Sequence, residues 1–150
     1  MPRARKHLVC IDTTPYYHVV SRCVRRAFLC GIDCVTGKSF EHRRSWIESR
    51  VRQLSDIFCV DIAAYAIMSN HYHLVVKLVP DRAQTWSDDE VLERWSTLYR
   101  GPLLMQRYRD GDTLSAAEQD SLASIARVFR KRLTSLSWFM KCLNEPIARQ

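Results

Sequence analysis

The chain has 150 residues, of which 47% are apolar and 10% aromatic, with 4 glycines and 5 prolines. Such a chain buries a real core without staples and is neither disordered nor fibrous. Its net charge is +7 and its longest uninterrupted apolar run, residues 62–68, is 7 residues, whereas a membrane-spanning helix needs about 20. The basic N-terminus has too short an apolar stretch for a secretory signal, so the expected compartment is the cytoplasm.

Residues 15–22, PYYHVVSR, interleave β-branched, aromatic and polar side chains and read as a strand. An irregular stretch with Gly31 and Gly37 follows. Residues 40–57 read as a helix, because Ile47, Val51, Leu54 and Phe58 recur at the spacing of an amphipathic stripe. Residues 59–68 and 71–78 are two strands joined by Ser69-Asn70, where Asn is expected to take the left-handed conformation of a tight hairpin. Ser87-Asp-Asp-Glu90 is a capping box opening a helix to about Tyr99, which Gly101-Pro102 stops. Residues 106–114 are polar and read as a loop, and Ser115-Ala-Ala-Glu118 is a second capping box. Phe129, Leu133, Leu136, Met140 and Leu143 continue a helical stripe that Pro146 is expected to end. The order β-α-β-β-α-α implies an α+β fold with a ferredoxin-like split β-α-β antiparallel sheet. Helices cover one face of it and the other stays open. Residues 1–150 read as one domain, with the sheet and first helix in 15–79 and a helical part in 85–145.

Charge is uneven. Residues 1–50 carry 10 basic and 4 acidic groups, residues 51–114 carry 7 and 9, and residues 115–150 carry 6 and 3. Two basic ends around a neutral middle suit a polyanion held across part of the surface. Arg22, Arg25 and Arg26 after the first strand, and Arg130 and Lys131 in the basic cluster 127–132, are the candidate DNA-binding residues. The six cysteines include no C-x-x-C pair and read as reduced structural thiols. The four tryptophans read mostly as core or interface, and Trp86, ahead of its capping box, as a hydrophobic staple in preference to a base-stacking residue.

His71-Tyr72-His73 is the most specific feature. Side chains two apart on a strand share a face, so His71 and His73 project side by side while Tyr72 faces the other layer. Two adjacent imidazoles make two-thirds of a facial metal site. His18, in the first strand, reads either as a residue approaching the active site or, more simply, as a satisfied strand residue, and alternation alone leaves its face open.

Met68-Ser-Asn-His-Tyr-His-Leu74 resembles the M-x-N-H-x-H-L signature of single-tyrosine HUH transposases, the insertion-sequence-200-like family and its REP-associated relatives. Tyr17-His-Val-Val-Ser-Arg22 is similar to the family's first strand, and Ala64-Tyr-Ala-Ile-Met68 to the strand before its HUH turn. The resemblance covers residues 15–79 and continues more weakly to 145. It implies a divalent metal ion, Mg²⁺ or Mn²⁺, held by His71 and His73, although imidazoles alone favour Zn, Ni or Cu. It also implies a single-stranded or hairpin DNA substrate, a tyrosine nucleophile forming a phosphotyrosine intermediate, and a homodimer. No membrane partner is expected.

The chain departs from the family at the nucleophile. The family's tyrosine lies on a late helix in a Y-[IV]-x-x-[QN] pattern, and none of Tyr16, Tyr17, Tyr65, Tyr72, Tyr99 or Tyr108 fits it. Tyr65 reads as core and Tyr108 as loop. The expectation is a chain that keeps the metal and DNA platform and lacks the catalytic tyrosine beyond Gln150. Two rival readings stand beside it. One is a nucleic-acid-binding module without chemistry. The other is a metal-dependent nuclease using His71 and His73 with a carboxylate such as Asp61.

Overall fold

A computed structural model describes residues 4–22 and 29–149. After a short 3-10 turn at Arg5–His7 come β1 (Tyr16–Arg22), α1 (His42–Ile57), β2 (Val60–Ile67) and β3 (His71–Leu78). A 3-10 segment at Pro80–Thr85 leads to α2 (Asp88–Ser96), α3 (Leu103–Arg109), α4 (Ala116–Leu133) and α5 (Leu136–Arg149). The described strands form one antiparallel sheet in the order β1-β3-β2. β1 and β2 therefore run parallel, joined by α1 and split by β3. This is the split β-α-β arrangement of a ferredoxin-like α+β fold.

β3 explains why the sheet has two unlike faces. Its sequence HYHLVVKL alternates half-buried and buried positions along its whole length. Tyr72, Leu74, Val76 and Leu78 join a single buried cluster with Val19 of β1, Ile47, Val51 and Leu54 of α1, and Phe139, Met140 and Leu143 of α5. Phe58 and Phe139 meet edge to face with centroids 5.6 Å apart, a geometry that adds to simple area burial. The buried Tyr72 hydroxyl donates to Asn144 Oδ1 at 2.5 Å, which joins the sheet to α5. Farther out, α2 packs on α4 through Trp95 and Phe129, whose rings stack 4.5 Å apart.

Several sequence expectations change here. Residues 106–114 are not all loop, because Leu103–Arg109 is a helix. Met105 anchors it in the core, and Arg107 reaches Glu118 at 2.7 Å and Asp112 at 3.2 Å. Gly101 enters it at φ +75, and a side chain there would meet the Met105 sulfur at 2.7 Å. The stripe 129–143 is two helices, broken at Thr134 and Ser135. The Thr134 hydroxyl donates to Lys131 O at 2.7 Å, while Cys59 N–H donates to Leu133 O at 2.9 Å. Short hydroxyl side chains compete with the helix for its own backbone partners.

Pro146 does not end a helix but lies inside α5. A proline has no N–H for the carbonyl four residues back. That carbonyl, of Cys142, accepts instead from Arg50 Nη2 at 3.2 Å. Tyr65 is 41% exposed rather than core, on an edge strand with a register shift between Ile62 and Ala64. Asn70 does not adopt a left-handed conformation, since no non-glycine among the described residues has a positive φ. The helix starts fare better. Ser115 and Glu118 form a complete capping box, whereas Ser87 caps α2 and Glu90 turns to Arg94 at 2.8 Å. Trp86 is buried, with the Arg94 guanidinium over its ring, so it presents no free face for a base to stack on. No described helix is long and apolar enough to cross a membrane.

Candidate functional site

The site begins with a two-residue turn. Met68 N–H donates to His71 O at 2.8 Å, closing the β2–β3 hairpin over Ser69 and Asn70. The turn is held from outside as well. Leu29 and Cys30 amides donate to Ser69 O, and the buried Cys30 thiol donates to Met68 O at 3.2 Å. Burial raises the Cys30 thiol pKa, so it stays protonated and donates. His71 and His73 thus leave a braced turn on a strand whose alternate residues are locked in the core.

The two histidines share the open face, with ring centroids 4.9 Å apart. Strand register brings Arg22 opposite His71, Val20 opposite His73 and His18 opposite Val75. On the β2 side Ala66 lies opposite His73 and Ala64 opposite Val75. The neighbours on that side are small, and the two histidines are half-buried. Farther along, Lys77 lies opposite Tyr16, its ammonium 5.8 Å from that ring. The open face therefore carries His18, His71, His73, Arg22, Lys77 and the half-exposed Tyr16.

Each histidine has a fixed partner. His71 Nδ1 lies 2.5 Å from Asn70 Oδ1. His73 Nδ1 lies 2.8 Å from His18 Nε2, with the two rings near parallel. An amide oxygen only accepts, so His71 Nδ1 carries the proton and its Nε2 keeps a lone pair when the ring is neutral. Metal-ligating histidines are held in this way, their second nitrogen bonded to an oxygen. His71 meets that condition, while His73 Nδ1 faces an imidazole nitrogen instead; imidazole donors as such suit Zn, Ni or Cu better than Mg. Among the described residues no group of three or more His, Cys, Asp or Glu side chains is arranged to hold a metal ion. His71 and His73 are donors without a closed shell around them.

The other candidates divide. Arg22 is exposed on the same face as the histidine pair. Arg25 and Arg26 lie outside the described residues. Arg130 faces inward rather than toward a ligand: it donates to the carbonyls of Ala83 and of Trp86, the latter at 2.7 Å, and pairs with Asp88 at 2.8 Å. That side chain is 18% exposed, and its role here is to tie α4 to the start of α2. Lys131 is exposed on α4, which packs against α2, α3 and α5 rather than beside the histidines. Asp61 is bound by Arg82 at 2.9 and 3.0 Å and stands opposite Lys77. Lys77, its cross-strand partner, is four residues along β3 from His73, roughly 13 Å at the usual strand rise.

Among the described residues no tyrosine hydroxyl bonds to His71 or His73, and Tyr65 on β2 stands opposite Leu74. Tyr72 faces the helices, and burial pushes its pKa up to about 12. Tyr99 is raised in the same way beside Cys142 and Glu145. Tyr17 donates to Thr14 O at 2.7 Å, and Tyr108, on α3 rather than a loop, donates to Asp89 Oδ1 at 2.5 Å. Tyr16 shares the open face but lies opposite Lys77, toward the far end of the strand.

The sequence leaves the face of His18 open between an approach to the site and an ordinary strand position, and gives no sign of the Asn70 side chain. The faint signal was the alternation Tyr16, His18, Val20, Arg22, but its face depends on how β1 registers against β3. Comparison of the chain with family models, curated proteins and solved structures finds no match in any of the three. Fold and site together define an α+β protein with a paired-histidine surface on the open side of its sheet.

Proposed function

We propose that this chain is a DNA-binding protein of the HUH transposase type, which seats single-stranded or hairpin DNA on its open sheet face beside a cation held by His71 and His73. The observation that carries the reading is the pair itself: two imidazoles on one face of a braced strand, each with Nδ1 engaged. A divalent cation there would polarise a phosphate oxygen of the bound strand. Arg22, opposite His71, suits an adjoining phosphate. Lys77 and Tyr16 extend the footprint, one for a further phosphate and one for a stacked base. The small side chains of Ala64 and Ala66 leave room for a nucleic-acid backbone to approach. With no tyrosine hydroxyl bonded to His71 or His73 among the described residues, this chain binds but does not cut unaided. Asp61, engaged by Arg82, lends no support to a nuclease that uses its carboxylate as a ligand.

The test is binding of Mn²⁺ and of Zn²⁺ to the 150-residue chain by calorimetry, with hairpin DNA binding followed by anisotropy. The expected result is cation binding that H71A/H73A abolishes, and DNA binding that R22A weakens with a shallower salt dependence. Equal cation binding by the parent and the double variant would sink the reading. A tyrosine-linked DNA product from this chain alone would overturn the claim that it does not cut.

A further inference from the structure

We infer that His18 is a positioning residue for His73, and that with Asn70 it orders the proton on each imidazole so that both Nε2 atoms offer lone pairs to one divalent cation. The inference rests on the metal reading above and adds to it a supporting pair from two different elements. His18 pairs in register with Val75, which makes it the diagonal neighbour of His73. Diagonal Cβ atoms across antiparallel strands lie about 7–8 Å apart, within reach of two rings. Here they do meet, with centroids 5.1 Å apart, planes 14° apart and His18 Nε2 at 2.8 Å from His73 Nδ1.

One proton lies in that contact. If His18 Nε2–H donates, His73 carries its own proton on Nε2 and has no lone pair for a metal. If His73 Nδ1–H donates to His18 Nε2, His73 Nε2 is free. His71 is already in the second state, because its Nδ1 faces an oxygen that can only accept. The arrangement that makes the pair a matched ligand is therefore His73 donating to His18, with His18 protonated on Nδ1. Asn70 immediately precedes His71, and His18 comes from β1. The two supports thus hold the pair from the turn and from the neighbouring strand.

The same geometry argues against two simpler roles. An idle exposed histidine has no need of a 2.8 Å bond to a second ring. As a third ligand, His18 would turn Nε2 toward a point shared with His71, and here that atom is on His73.

The experiment uses the 150-residue chain with ¹⁵N-labelled histidine at pH 8. Two-bond nitrogen–proton correlations report the tautomer of each ring without any metal. His73 is expected as the Nδ1–H tautomer in the parent chain. H18Q, whose amide oxygen can accept the same proton, should preserve it, and H18F should convert His73 to Nε2–H. Because position 18 is exposed, both variants should melt as the parent does. Calorimetry with Zn²⁺ should then show H18F binding about 10–100-fold more weakly, as second-shell losses commonly do, with H18Q restoring most of the affinity.

A parent His73 in the Nε2–H form overturns the inference. So does H18F with unchanged tautomer and unchanged Zn²⁺ affinity. A tautomer that responds to H18F in a parent chain that binds no cation supports the positioning role and sinks the metal reading instead.

Discussion

On one side of β3, Tyr72, Leu74, Val76 and Leu78 are between 0% and 3% exposed. On the other side His71, His73, Val75 and Lys77 keep part of their surface in solvent. Eight consecutive residues thus serve two layers, because side chains on a strand alternate. The buried set fixes where the strand lies, and the other set is presented by it. The lesson is a division of labour. Removing a buried group should loosen the whole molecule, while removing a histidine should alter what the surface binds and leave the fold intact.

The sharpest way to break that comparison is to truncate one residue on each side. Leu74→Ala should lower unfolding free energy by about 2–5 kcal/mol, the usual range for a leucine lost from a core. His73→Ala should change it by no more than about 0.5 kcal/mol, as surface substitutions do. Urea denaturation measures both, and equal losses would show that the histidines belong to the fold's support. Arg130→Ala comes next. It leaves the Ala83 and Trp86 carbonyls without their charged donor, and should destabilise by about 1–3 kcal/mol. Lys131→Ala should be silent in stability, and an unchanged salt dependence of hairpin binding in that variant would remove α4 from the DNA footprint.

A pH dependence confined to alkaline solution is a further expectation. The ordinary tyrosine pKa is 10.0, and burial lifts that of Tyr72 to about 12. The unfolded chain therefore releases this proton first as pH rises. The stabilisation is full below pH 10 and falls between pH 10 and about 12, by on the order of 1 kcal/mol at pH 11. Tyr72→Phe should flatten that part of the profile. Tyr99, also raised, leaves a residual slope.

The elements that could be read from sequence are those with a local cause. β1, α1 and the β2–β3 hairpin follow from alternation and an apolar stripe, and α4 from a serine and glutamate three apart. His71 and His73 were legible because two residues on one strand need no partner to define their shared face. The misses depend on other parts of the chain. Whether His18 joins the pair is decided by strand register, which no local pattern contains. Arg130 reads as a surface cation until Ala83, Trp86 and Asp88 fold around it. Asn70 was read for its backbone, whereas its side chain is what reaches His71.

Pro146 shows how far such a dependence can carry. The amide it lacks leaves the Cys142 carbonyl vacant, and the guanidinium of Arg50 takes that place. A gap in the ladder of α5 thereby becomes a bolt to α1. Two residues before the proline, Asn144 receives the Tyr72 hydroxyl. The strand bearing the histidines is clamped to a helix that is itself pinned at its own flaw. Restoring a backbone donor at 146 would give that carbonyl a second partner, since a carbonyl can accept two, and α5 would no longer depend on Arg50 alone.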